Sequence, residues 1–221
     1  MAKSAKTLQQ KTNVLIVDDH PIVRQGIKGL LQQEKDLVVC GEADSAGEAL
    51  TCLSALRPDV VILDISLNGS DGLELTKAIR ARDAMLPILI MSMHDEALYA
   101  ERALRAGANG YIMKKEVASN LVQAVRRVLS GDIYVSENAR QRILHNVTGA
   151  AAVAESPLNR LSDRELEVFR LIGHGRGTQQ IASELHLSVK TIETYRAHIK
   201  EKLDLKTATE LVRYAVQFTE G

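Results

Sequence analysis

The chain of 221 residues has no tryptophan, and aromatic residues make up only 3% of it. Its cores must therefore be built from aliphatic side chains. The two cysteines, Cys40 and Cys52, fit neither a metal-binding spacing nor a disulfide framework. They read as buried or half-buried thiols in a reducing cytosol. No apolar run approaches the ~20 residues needed to cross a bilayer, so no membrane role is expected. The first dozen residues, MAKSAKTLQQKT, lack the apolar stretch of a secretory signal and read as a polar, frayed segment. A dominant charge is missing too: 28 Lys and Arg stand against 28 Asp and Glu. The balance weakens any argument from bulk attraction to a polyanion, and local charge is the more helpful guide. There are no internal repeats, and the length suits one large or two small domains.

What the first half does contain is a series of short apolar runs, each followed by a polar residue. Val14–Val17 leads into Asp18 and Asp19, Val60–Leu63 into Asp64, Ile88–Met91 into Ser92 and Tyr111–Met113 into Lys114. Runs this short, rich in β-branched residues and alternating with helical patterns, read as buried parallel strands. Helices are expected at about Pro21–Gln33, Ala46–Leu56, Gly72–Arg82, Glu96–Arg105 and Val117–Ser130, with a second strand at Leu37–Gly41. Gly107, Gly110 and Gly131 punctuate the later rounds. The pattern is that of a doubly wound, five-stranded parallel α/β domain.

In such a sheet the carboxyl ends of the strands share one edge, where sites form. Three carboxylates, a hydroxyl and an ammonium would converge there. Taken singly, an Asp or Ser after a strand is a turn former or helix cap, and a Lys there is a solvated charge. The set in this order is not expected by chance. Carboxylates so close repel one another, and a hard divalent ion with a preference for oxygen, such as Mg²⁺, suits the place.

The segments VLIVDDHPIVRQG, DVVILDISLNGSDGLEL, ILIMSMHDE and GANGYIMKKE resemble the receiver domain of two-component response regulators. The resemblance implies that Asp64 is the phosphoacceptor. It implies Mg²⁺ held by Asp19, Asp64 and the backbone carbonyl of Ser66, with Asp18 acting mostly through water. Ser92 becomes the switch hydroxyl, Lys114 the cation that pairs with the phosphoryl group, and Tyr111 an aromatic that turns inward on activation. Two departures stand out. Leu67-Asn68 replaces the usual Asp and Met-Pro of the loop after the acceptor, although Asp71-Gly72 stays in register. Lys115 replaces a common Pro after the Lys, so a cis bond there is not assured.

The pattern changes after about residue 132. Ser136–Val147 reads as a short polar helix, and TGAAAVAESP, Thr148–Pro157, as a linker. From Leu161 no strand signal remains. Ser162 and Glu165 form a capping box that starts a helix. Leu166, Phe169, Leu171 and Ile172 give that helix an apolar stripe, and Gly173, Gly175 and Gly177 end it. Thr178–Leu185 is a short second helix, His186-Leu187-Ser188 a tight turn, and Ser188 caps a third helix reaching about Leu203. Thr207–Phe218 would be a fourth, with Ala208, Leu211, Val212, Ala215 and Val216 apolar. Two helices joined by a short turn give the helix-turn-helix pattern, although a small helical bundle without a nucleic-acid role has the same periodicity.

The letters LSDRELEVFRLI and IASELHLSVKTIETYRAHIKEKL resemble the LuxR-type DNA-binding domain. With the receiver they make the chain similar to the NarL/FixJ family over nearly its whole length. GRGTQQIA departs from the family's usual start of the second helix. The organisation expected is a receiver at 12–132, a connecting helix and linker at 133–157, and an all-α helix-turn-helix domain at 158–221. From Leu158 onward ten Lys and Arg meet nine Asp and Glu. Lys190, Glu193, Thr194 and Ala197 would face bases. Tyr195, Arg196, Lys200, Thr178 and Gln180 would serve phosphates. Ile192, Ile199 and Leu203 would be core, and His198 a solvated or packed side chain.

The resemblance implies a cytoplasmic transcription regulator with a sensor histidine kinase and double-stranded promoter DNA as partners. RNA polymerase is a further candidate partner. Phosphorylation would promote a homodimer through Leu211, Val212 and Ala215. Beyond self-phosphorylation and slow autodephosphorylation no enzymatic turnover is expected. Two other readings stay open: a receiver-containing regulator that works without phosphate, and a haloacid-dehalogenase-like phosphatase. The second places two aspartates one residue apart after its first strand, whereas Asp18 and Asp19 are adjacent.

Overall fold

The computed structural model describes residues 11–67, 70–93, 96–148 and 157–220. The expected frayed segment up to residue 10, residues 149–156 of the expected linker, and Asn68 lie outside them. The chain divides into two compact units, Met1–Leu144 and His145–Gly221.

The first unit alternates strands and helices: β1 (Thr12–Val17), α1 (Pro21–Leu31), β2 (Leu37–Ala43), α2 (Ala46–Leu56) and β3 (Val60–Asp64). A small hairpin of β4 (Ser66–Leu67) and β5 (Ser70–Asp71) follows. Then come α3 (Gly72–Arg82), β6 (Ile88–Ser92), α4 (Glu96–Arg105), β7 (Gly110–Met113), a 3₁₀ turn at Lys114–Glu116 and α5 (Val117–Leu129). The β4–β5 hairpin and the 3₁₀ turn carry no sequence signal, because each is only two or three residues long. The main sheet is all parallel in the order β2-β1-β3-β6-β7. The winding reverses between β1 and β3, which opens a crevice at their carboxyl ends.

Both sheet faces are covered, so the central strands are apolar without alternation. Val14–Val17, Val60–Leu63 and Ile88–Met91 are wholly inaccessible. On one face Val14, Ile16, Ile62, Leu89 and Met91 pack with Ile27 and Leu31 of α1 and Leu121, Val125 and Val128 of α5. The α5 positions recur at helical spacing, which turns one stripe to the sheet. Cutting a residue such as Ile62 back to Ala removes contacts on every side and costs ~2–5 kcal/mol.

Glycines end two of these helices. Gly107 and Gly131 have φ of +103° and +86°, and their N–H groups reach back to Leu104 and Val128. Gly110 is needed for another reason. A Cβ there would meet the Tyr134 carbonyl at 2.9 Å. Without one, the chain leaving α5 lies along the edge strand β7: Tyr111 N–H donates to the Tyr134 carbonyl at 2.7 Å, and Tyr134 N–H to Asn109 at 3.0 Å. This covers an otherwise open sheet edge. Ser136 then caps α6 (Glu137–Thr148), and its own N–H donates to Glu96 Oε1 at 2.7 Å.

The second unit holds a 3₁₀ turn (Pro157–Arg160) and α7 (Asp163–Gly173), α8 (Thr178–Glu184), α9 (Val189–Lys202) and α10 (Ala208–Glu220). The Ser162–Glu165 capping box is present in full. Gly175, at φ +75°, closes α7 with Gly175 N–H on Ile172 and Arg176 N–H on Leu171, which satisfies two end carbonyls. Gly173 is a packing glycine instead: a Cβ there would meet the Ala215 carbonyl of α10 at 2.5 Å. His186 and Asp204 take the same left-handed position, at φ +53° and +57°, where glycine is the usual residue.

Several expectations need correction here. The core of this unit is not purely aliphatic: Phe169 is wholly buried and meets Tyr214 edge-on at 5.7 Å and Phe218 at 6.0 Å. In the other unit Tyr99 and Tyr111 are also fully buried. Leu171 is half-buried, and Val168 holds the core position. Leu211 and Ala215 are wholly buried within the unit, because α10 must cover α7, so neither can lie on a dimer surface. Val212 is 40% exposed.

Candidate functional site

The carboxyl ends of β1, β3, β6 and β7 do bring the expected groups to one edge. Asp18, Asp64 and Ser92 are buried, and the Asp19 side chain is 10% exposed. Lys114 reaches in from the end of β7. Its Nζ stands 2.7 Å from Asp64 Oδ2 and 2.8 Å from Asp18 Oδ2, so one ammonium bridges carboxylates 46 residues apart in sequence.

Burial penalises the charged form of Asp64, and Asp18 repels it. Lys114 opposes both without cancelling them, and the Asp64 pKa is pushed up from 3.8 to about 6. Burial would pull Lys114 down, but Asp64 and Asp18 outweigh that and hold it above its ordinary value. At neutral pH Asp64 and Lys114 are therefore both charged, and the set holds three carboxyl groups to one amine.

That charge balance fits a divalent cation. Asp18, Asp19, His20 and Asp64 each present one ligand atom, all within 4.8 Å of one another. Asp19 Oδ1 is buried and accepts no hydrogen bond of good geometry from the described residues. Its close polar neighbour is His20 Nδ1 at 2.7 Å, and because buried polar atoms are normally satisfied, an ion would complete it.

The loop beyond Asp64 depends on Asp71 and Gly72. Asp71 caps α3, accepting from Leu73 N–H at 2.8 Å. Gly72 N–H donates to the Ile65 carbonyl at 2.7 Å. A Cβ on Gly72 would collide with the Asp64 carbonyl and stand 2.8 Å from Ile65 Cα. Any side chain at position 72 would push the backbone of Asp64 and Ile65 away. Ser66 N–H donates to the Asp64 carboxylate and lowers its pKa somewhat.

Tyr111 was expected to turn inward on activation. It is fully buried here, in the inward position. No described peptide bond is cis, the one joining Lys114 and Lys115 included.

Sequence reasoning passed over four supporting residues. Arg24 donates to the Asp18 carbonyl at 2.6 Å and approaches Glu42 at 3.5 Å. Glu42 also pairs with Lys28 at 2.7 Å. His20 Nδ1 stands 2.7 Å from Asp19 Oδ1 and 3.2 Å from Asp18 Oδ1. The available signals were weak: His20 directly follows the acidic pair, and Glu42 is the last residue but one of neighbouring β2.

In the second unit, helix α9 separates its faces cleanly. Ile192 and Ile199 are wholly buried, with Leu203 beside them. Lys190, Glu193, Thr194 and Ala197 are exposed on the other side, and Tyr195, Arg196 and Lys200 are half-buried. Thr194 Oγ1 donates to the Lys190 carbonyl at 3.0 Å, which leaves its methyl group and lone pairs outward. Gln180 spends its oxygen on Gly177 N–H at 2.9 Å, while its amide NH₂ and half-buried Thr178 remain near the helix start. Lys202 is occupied: its Nζ meets buried Glu165 at 2.6 Å and ties α9 to α7. Burial opposes the Glu165 charge, but Lys202 and Ser162 together hold its pKa below the usual carboxylate value. His198 is half-exposed, 3.6 Å from Glu165.

Comparison with known proteins agrees with both units. Residues 14–126 match the response regulator receiver domain, and residues 159–215 match the bacterial regulatory proteins of the luxR family. The chain is 38% identical over 209 residues to the oxygen regulatory protein NreC of Staphylococcus carnosus, covering 92% of this chain and 96% of that protein. It is 36% identical over 206 residues to the response regulator UvrY of Escherichia coli O157:H7, covering 93% and 94%. It is also similar to a solved structure of RcsB from Salmonella enterica serovar Typhimurium bound to promoter rprA with the phosphomimetic BeF3−. That similarity has a TM-score of 0.61 and 28% identity, covering 94% of this chain and 99% of that one. The chain belongs to the two-component response regulators that join a receiver domain to a luxR-family helix-turn-helix domain.

Proposed function

We propose that this protein is a phosphorylation-switched transcription regulator in which Asp64 accepts the phosphoryl group and α9 reads DNA. The observation that carries the reading is the Lys114 bridge between Asp18 and Asp64 beside the unsatisfied Asp19 oxygen. A purely structural ion pair needs no third buried carboxylate.

The donor would be a phosphohistidine on a sensor kinase. An Asp64 carboxylate oxygen attacks phosphorus, the donor's P–N bond breaks, and the imidazole leaves with a proton taken from solvent. Asp19, Asp64 and the Ser66 carbonyl would hold Mg²⁺, with Asp18 acting through water. The ion supplies charge neutralisation on the transferring oxygens. Lys114, already 2.7 Å from Asp64, pairs with the new phosphoryl group. The Ser92 hydroxyl, at the end of the adjacent strand, then moves toward it. Lys114 and Ser92 carry the change, with Tyr111 as the aromatic that occupies the inward position. Hydrolysis of the acyl phosphate resets the site, and no other turnover follows from these groups.

In the second unit, Lys190, Glu193, Thr194 and Ala197 meet base edges, while Tyr195, Arg196, Lys200, Thr178 and Gln180 serve phosphates. A single short recognition helix reads few base pairs, so tight binding calls for two copies on two half-sites. Val212 is an exposed large apolar residue of α10, suited to that contact. A double-stranded promoter is the target, with RNA polymerase a further partner. Among the described residues no helix is long and apolar enough to cross a membrane, in keeping with a cytoplasmic place of action.

The test is a DNA footprint with and without acetyl phosphate and Mg²⁺, on the natural chain and on Val212→Lys. Phosphorylation should extend protection over two half-sites, and Val212→Lys should lose that gain while still accepting phosphate. Identical footprints with and without the phosphodonor would favour a regulator that works without phosphate. Calorimetry of Asp19→Ala should show weakened Mg²⁺ binding together with a more stable metal-free fold, because one repelling charge is gone.

A further inference from the structure

His20 has no part in the function proposed above, yet it stands among its carboxylates. Its Nδ1 lies 2.7 Å from Asp19 Oδ1 and 3.2 Å from Asp18 Oδ1, and its backbone N–H holds Asp18 Oδ1 at 2.8 Å. The ring is 60% exposed, so it can turn without disturbing the core. The four ligand atoms of Asp18, Asp19, His20 and Asp64 lie within 4.8 Å of one another. Opposite ligands of an ion bound at ~2.0–2.1 Å stand about 4.2 Å apart, so roughly half an ångström of closure suffices.

A second observation points to an ion on the histidine side of the cluster. The Asp19 side chain is nine-tenths buried, and its Oδ1, the atom nearest His20, accepts no hydrogen bond of good geometry. Lys114 serves Asp18 and Asp64 instead, and among the described residues no Lys or Arg pairs with the Asp19 carboxylate.

Carboxylate and carbonyl oxygens suit Mg²⁺, whereas imidazole suits later divalent metals such as Ni²⁺ and Zn²⁺. We propose that His20 is a nitrogen ligand at this site and lets it hold a borderline transition-metal ion in place of Mg²⁺. The proposal rests on reading the acidic edge as a metal site. It implies that two classes of ion compete for one place, and that His20 sets the preference between them.

Calorimetric titration of the full chain with NiCl₂ and with MgCl₂, for the natural protein, His20→Gln and Asp19→Asn, tests this. Ni²⁺ should be displaced by Mg²⁺, which separates this site from the chain's other histidines. His20→Gln should weaken that Ni²⁺ binding on the order of tenfold or more and leave Mg²⁺ affinity within about twofold, since an oxygen-seeking ion has little use for imidazole. The absorption of bound Co²⁺ should shift in His20→Gln as the nitrogen ligand is lost. Unchanged Ni²⁺ affinity in His20→Gln, an equal fall for both ions, or Ni²⁺ that Mg²⁺ cannot displace overturns the proposal. If Asp19→Asn leaves Mg²⁺ affinity untouched, the underlying metal-site reading fails and this proposal with it. Mg²⁺ binding lost in Asp19→Asn, with Ni²⁺ unchanged in His20→Gln, overturns the proposal alone.

Discussion

The acidic edge of the receiver and the outer face of α9 solve opposite problems. The first gathers Asp18, Asp64, Ser92 and Lys114 from four strand ends and buries nearly all of them. The second lays Lys190, Glu193, Thr194 and Ala197 along one continuous helix and leaves them exposed. Burial makes charges interact strongly, so adding one phosphoryl group at the edge can move neighbours. Exposure screens charges, so the helix face can contact a polyanion and let go of it. The difference teaches that switching needs a dry, crowded site and reading needs a wet, open one.

The sharpest way to break the comparison is Asp64→Asn. It should abolish labelling by acetyl phosphate altogether, while Asp71→Asn, a cap beyond the acceptor, should leave labelling intact. Equal labelling of Asp64→Asn and the natural chain would refute the acceptor assignment.

The next effect is on stability and pH. Asp64 titrates at about 6 in the fold against 3.8 ordinarily. Between those values the folded chain keeps a proton that the unfolded chain has lost. Without divalent ions, stability should therefore fall as pH rises from about 4 to about 6, by on the order of 3 kcal/mol. Asp64→Asn should flatten that fall, and Mg²⁺ should offset it. Denaturant unfolding at several pH values would read this, and a flat profile in the natural chain would contradict the buried, charged site.

Smaller effects are expected on α9. Thr194→Ala should relax preference at one base-pair position, by ~1–3 kcal/mol. Its hydroxyl proton is engaged with the Lys190 carbonyl, so the discrimination should come from its methyl group or lone pairs. Lys200→Ala should weaken binding to all sequences alike and lower the salt slope by about one. Near-neutral charge in this unit implies a shallow slope to begin with. Should Lys200→Ala alter base preference instead, the division into positioning and reading residues is wrong.

Much of the fold was legible because its signals are local. Buried parallel strands announce themselves as apolar runs, and Val60–Leu63 reads the same in any context. The Ser162–Glu165 box and the Ser188 cap lie within three residues of their partners, so α7 and α9 could be placed to within a residue or two. Helix ends were harder. Gly107, Gly131 and Gly175 end helices by taking positive φ, but Gly110 and Gly173 are small because another segment's backbone passes close by. Nothing in the sequence distinguishes the two uses.

By itself, then, the sequence determined the order of elements, the two-part organisation and the chemistry at the strand ends, since periodicity, capping and polar residues after apolar runs are local properties. The tertiary structure alone decided which groups touch. It bridged Asp18 and Asp64 through one Lys114 and tied Lys202 to a buried Glu165. It also took Leu211 and Ala215 out of any dimer surface and buried Tyr111. These are contacts between residues far apart in the chain or choices between two faces of one helix. Packing fixes them, because a side chain's neighbours are set by what the whole fold must cover.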